Sequence, residues 1–193
     1  MTTPGRLYEF VFRGFLAEEA LDKAGRMRRD APGPFDPAII ERLGIELLDE
    51  SAVASAERMA VVYTAIAAFE NSVRKLVVAV LAEQLGESWW DNAVSVKIRN
   101  RAEARRADEE TVKWHGPRGE ALINYTDLSD LGTIIRSNFK RFEPYIPTIE
   151  WANSIFSVVE RSRNVIMHSG ALAMEDVERL GINIRDWVKQ VGA

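Results

Sequence analysis

The chain has no cysteine, and only two of its 193 residues are histidine. Without thiols there can be no disulfide, no thiolate zinc site and no cysteine nucleophile. The two imidazoles, His115 and His168, do not form a His-x-x-x-His pair, and no carboxylate pair with ligand spacing stands near His168. No metal and no other cofactor is therefore expected. Long apolar runs are missing too, which excludes a membrane-spanning helix. The first residues, Met1 to Arg6, lack the basic, apolar and small-residue sequence of a secretion signal, so a cytoplasmic location is expected. Internal repeats and low-complexity tracts are absent, which argues against a solenoid. A formal net charge of −4 leaves no global positive field with which to coat nucleic acid, so any RNA contact must be local.

What is present is helical periodicity. Met59, Val62, Ile66, Phe69, Val73, Leu76 and Val80 alternate in spacings of three and four, which predicts one long helix over about residues 51–85. A second helix is predicted from near Thr148 to His168, entered through Pro147 and stopped by Ser169-Gly170, with Gly170 tolerating a left-handed cap. A last one is predicted from Met174 to Val191, with Val177, Leu180, Ile184, Trp187 and Val191 on one side. Between them come a basic helix near 92–113, a turn at 115–119 and a short helix after Asp127. Residues 1–45 carry Leu7, Phe10, Val11, Phe12, Phe15 and Leu16. A Pro/Gly break at 31–34 follows, and Asp36-Pro37 then opens another helix. The expectation is an all-α protein: an up-and-down bundle over 46–193 with a helical extension over 1–45.

Arg163-Asn164-Val165-Ile166-Met167-His168 is the segment with chemical content. Arginine offers a permanent charge and a planar fork for phosphate oxygens, asparagine an amide that can orient or hydrogen-bond, and histidine a proton exchanged near neutral pH. An Arg-Asn pair placed five residues before a histidine arises by chance in only about one shuffle of this composition in a hundred. Asn164 and His168, four apart, share a helix face, whereas residues five apart point about 140° away from each other. Two copies of the helix facing each other across a two-fold axis could bring Arg163 of one to His168 of the other. The alternative is structural, with His168 capping its own helix and Arg163 paired to Glu160 or Glu70.

These residues resemble the HEPN superfamily (higher eukaryotes and prokaryotes nucleotide-binding). Members carry arginine, a polar residue, three to five further residues and then histidine, which Arg163, Asn164 and His168 match at the shortest spacing. Phe69-Glu70-Asn71-Ser72-Val73-Arg74, Trp89-Trp90 and Tyr125-Thr126-Asp127-Leu128 extend the similarity to the subgroup also appended to a eukaryotic PIN-domain endonuclease. The resemblance covers the chain from about residue 52 onward. It implies a metal-independent endoribonuclease acting as a homodimer on RNA, with Arg163, Asn164 and His168 as catalytic residues and Glu70 holding Arg163. Toxin action or defence is the implied setting, where a neutralising partner protein would belong. Family toxins inactivated by nucleotidyl transfer carry a tyrosine two places after the motif histidine; Gly170 stands there, so that control is excluded.

Lys97, Arg99, Arg101 and Arg105 form the best local cationic run, readable as an RNA-backbone contact or as a solvated face balanced by Asp108, Glu109 and Glu110. Trp89 and Trp90 read as core or interface anchors. His115 has no motif around it and is given no role. A second function class also fits the sequence: a non-catalytic helical module that binds a partner protein or a nucleotide.

Overall fold

The computed structural model describes residues 37–192, and among these there is no β-strand. Leu7 to Leu16 and the break at 31–34 lie outside the described residues. The chain divides between Ala54 and Ser55. Before that division, helix α1 (Pro37–Leu43) opens on a proline, whose missing N–H is no loss at a first helical position. It closes on Gly44 in the left-handed region, φ 61°.

Helix α2 (Glu50–Leu85) is capped by Asp49, whose carboxylate accepts from the Ala52 N–H at 2.9 Å. Val62, Ile66, Phe69, Val73 and Val80 of its apolar stripe are buried, with Met59 and Leu76 packed at the margin. After a 3₁₀ turn at 86–88 come α3 (Trp89–Ala93) and α4 (Val96–Glu110). One helix was expected over 92–113. The break falls at Val94, which takes an extended conformation and is buried among the apolar side chains, so core packing overrides helix continuity there. The two tryptophans are half-buried against that core, edge to face at 5.5 Å.

A 3₁₀ segment (Leu122–Tyr125) packs on α4. Helix α5 (Leu128–Ser137) starts with a reciprocal capping box: Asp127 accepts from the Asp130 N–H at 2.9 Å, and Asp130 accepts from the Asp127 N–H at 3.4 Å. Then follow α6 (Phe139–Phe142), α7 (Ile149–Met167) and α8 (Met174–Val191), with α7 packed on both α5 and α8. An aromatic cluster joins three of these helices. Trp187 of α8 meets Phe69 of α2 at 5.6 Å and Phe156 of α7 at 5.2 Å, and stacks on Trp151 at 5.6 Å with planes 6° apart. These rings fix the rotation of α7, and hence where its C-terminal motif points.

Candidate functional site

Helix α7 begins at Thr148, whose Oγ1 accepts from the Trp151 N–H at 3.1 Å. Its buried stripe is Ala152, Ile155, Phe156, Val159 and Ser162. At about 100° per residue, Ser162 inward puts Arg163 on the flank and Asn164 on the outside. Asn164 and His168 are accordingly exposed, and their side chains have no hydrogen-bond or ion-pair partner among the described residues.

Arg163 is 38% exposed and lies beside α2, its Nε 4.0 Å from Glu70 Oε2. Glu70, at 17%, uses its other oxygen to accept from Arg74 Nη2 at 2.8 Å. Arg74 is in turn tied to the chain after α4: Nε donates to the Ile123 carbonyl and Nη2 to the Thr126 carbonyl, each at 3.2 Å. Its Nη1 donates to Asn71 Oδ1 at 2.6 Å. Phe69-Glu70-Asn71-Ser72-Val73-Arg74 thus buries Phe69 and Val73 while Glu70 and Arg74 form a brace running from Arg163 to the Ile123–Thr126 turn.

His168 is the last residue before the chain reverses, and its N–H reaches the carbonyls of Asn164 and Val165. The reversal is a Schellman cap: Ser169 N–H donates to the Ile166 carbonyl at 3.0 Å and Gly170 N–H to the Val165 carbonyl at 2.8 Å. The left-handed residue is Ser169, φ 61°, and not the expected Gly170. Gly170 is needed for another reason. A Cβ on it would lie 2.8 Å from Val165 Cγ1 and 2.9 Å from the Val165 carbonyl oxygen. Left-handed backbone costs an L-residue roughly 1–2 kcal/mol. Ser169→Gly should therefore raise stability to urea by about 1 kcal/mol, whereas Gly170→Ala should lower it.

The basic run is largely committed within the chain. Arg99 pairs with Asp91 at 2.7 Å, and Arg101 with Asp130 at 3.3 Å. Arg105 donates to the Tyr125 carbonyl at 2.6 Å and pairs with Asp127 at 3.2 Å and Asp130 at 3.5 Å. Lys97 alone of the four is exposed without an acidic partner among the described residues. Burial, then the Asp127 carboxylate, push Asp130 up despite both arginines. Asp127 is shifted the other way. Burial would raise its carboxyl too, but hydrogen bonds from Ser129 and the Asp130 N–H, with Arg105, outweigh it and hold it below the usual range. Its contribution to stability is thus present above the ordinary value of 3.8 and lost as pH falls through the lower folded one. Sequence reasoning passed over a second basic surface: Arg136, Lys140 and Arg141 line an open groove of about 670 Å³ with Phe139. Only Lys140-Arg141 was visible as a pair, since α5 ends between them and Arg136.

No cluster of histidine, cysteine and carboxylate able to hold a metal ion occurs among the described residues, and no described helix is long and apolar enough to cross a membrane. A comparison with curated proteins and with solved structures brings no match. A family model described as Swt1-like HEPN matches residues 64–192, from the middle of α2 through the Arg163–His168 motif to the end of α8. With an all-helical fold and that span, the chain belongs to the Swt1-like HEPN family.

Proposed function

We propose that the protein is a metal-independent endoribonuclease whose active cleft forms between two copies of the chain. The family is associated with nucleotide and RNA chemistry. Support from the site itself is the state of its side chains: Asn164 and His168 stand exposed at the end of α7 without a partner among the described residues, and Arg163 lies 4.0 Å from the Glu70 carboxylate. One helix cannot aim Arg163 and His168 at the same atom, because five residues separate them by about 140°. Two copies related by a two-fold axis place one arginine and the opposite histidine in each half of a common cleft.

In the reaction the ribose 2′-oxygen attacks the adjacent phosphorus and its proton passes to an imidazole. The bond to the 5′-oxygen breaks, and that oxygen takes a proton from an imidazole. The products are a 2′,3′-cyclic phosphate and a 5′-hydroxyl. Arg163 neutralises the negative charge that grows on the phosphoryl oxygens, and Asn164 hydrogen-bonds a phosphate oxygen or the imidazole. Lys97 offers charge for the RNA backbone; Arg99, Arg101 and Arg105 take part only if their ion pairs open.

Incubation of the purified protein with single-stranded RNA in EDTA tests this. Cleavage to 2′,3′-cyclic ends, with the 2′-deoxy analogue left intact, is the expected result. A folded dimer that leaves RNA whole would instead make the protein a non-catalytic binding module.

A further inference from the structure

Trp114 is the most exposed large apolar side chain among the described residues, 86% accessible, yet the turn that carries it is pinned at both ends. On the near side, Thr111 and Val112 N–H groups donate to the Asp108 and Glu109 carbonyls, and the His115 N–H donates to the Val112 carbonyl at 3.1 Å. On the far side Glu109 clamps Arg118 twice, accepting from its backbone N–H at 3.0 Å and pairing with its Nε at 2.5 Å. Gly119 is held next, its carbonyl accepting from the Tyr125 hydroxyl at 3.2 Å. The turn thus holds an indole face in water in a fixed orientation, open to a planar ligand.

The rings themselves describe one. Trp114 and His115 stand at 83° with centroids 5.8 Å apart, making a corner of one flat wall and one perpendicular wall. With Asp108, Val112, Pro117 and Arg118 they line an open groove of about 500 Å³. Phosphate is disfavoured there, because the groove is bordered by Asp108 and Glu109 and the charge of Arg118 is already met by Glu109. A planar, uncharged ring with polar edges fits better: it stacks on the indole while its edge meets imidazole and carboxylate. The turn also connects α4 to the Ile123–Thr126 segment, whose carbonyls Arg74 binds while it holds Glu70 beside Arg163.

We infer that the Trp114–His115 corner is a stacking site for an unpaired nucleobase of the RNA. The identity of the ligand rests on the proposed ribonuclease function, but binding can be read without cleavage. The probe is a fluorescein-labelled single strand of about 12 nucleotides with 2′-O-methyl riboses, which has no 2′-hydroxyl to attack and spans the usual site size. Fluorescence anisotropy is measured with the full chain, Trp114→Ala and Trp114→Phe, each shown to be folded by circular dichroism. Loss of one stacked base should raise Kd about 5- to 150-fold in Trp114→Ala. Trp114→Phe should recover most of the loss, and the same sequence as a duplex should bind more weakly than the single strand. Unchanged affinity in Trp114→Ala overturns the inference, as does equal binding of duplex or no binding by the wild-type chain. Cleavage of ordinary RNA is scored separately, so failure of the stacking site and failure of the ribonuclease proposal give different results.

Discussion

Replacing His168 by alanine should lower RNA cleavage by about 10²- to 10⁴-fold, the range contributed by a positioned general acid or base. The side chain is exposed and has no partner among the described residues, so its removal breaks no packing and no hydrogen bond there. Its backbone N–H, which closes the helix onto Asn164 and Val165, is unaffected by the substitution. Urea denaturation should therefore superimpose on that of the wild type, while single-turnover cleavage falls by two orders of magnitude or more. In each half of the cleft a single imidazole takes the 2′-proton and then protonates the 5′-oxygen, so its loss strikes both transfers together. Undiminished cutting by the purified variant would mean that the imidazole is not the proton carrier.

Arg163→Ala should cost about 10²- to 10³-fold in the chemical step, comparable with the loss of one donor to a developing oxyanion. Stability is again the control. A pair as open as Arg163 and Glu70, 4.0 Å apart with the guanidinium more than a third exposed, contributes at most about 1 kcal/mol. A purely structural arginine would thus give a small loss of stability and no change in rate. Arg163→Lys should recover only part of the activity, because an ammonium supplies charge but not the planar fork. Glu70→Gln offers a graded comparison: the chain keeps its helix, Arg163 loses its anchor, and the rate should fall less than in Arg163→Ala. A variant without Arg163 that cleaves at the wild-type rate would separate this residue from the reaction.

Much of the fold was readable because helices announce themselves through spacing. Val62, Ile66, Phe69, Val73 and Val80 are buried as their three-four rhythm requires, and Met174–Val191 has the bounds that its pattern gives. The motif helix likewise runs from its Thr148 cap to Met167, with His168 as the residue that ends it. What escaped depends on contacts between residues distant in sequence. The break at Val94 comes from burial in a core built mainly by other helices, and within residues 89–110 only Ser95, the N-cap of α4, is a local signal for it. The pairing of Arg101 and Arg105 with Asp130 and Asp127 joins residues more than twenty apart, so a basic run that looks free for RNA is mostly neutralised. At the helix end, Ser-Gly suggested a left-handed glycine, but the chain places Ser169 there and uses Gly170 for close approach to Val165. His115 carried no motif, and its relation to Trp114 appears only once the turn is closed by Glu109 and Arg118.

The shared cleft is tested most directly by mixing two inactive proteins. His168→Ala retains Arg163, and Arg163→Ala retains His168. Refolded together so that subunits exchange, they form mixed dimers in which one half of the cleft holds an intact arginine from one copy and an intact histidine from the other, while the opposite half has neither. Cleavage of RNA in EDTA should rise well above that of either variant alone and should increase with the fraction of mixed dimer. If the mixture stays as inactive as its two components although mixed dimers are present, the two side chains do not serve one site across the interface, and a composite active site is ruled out.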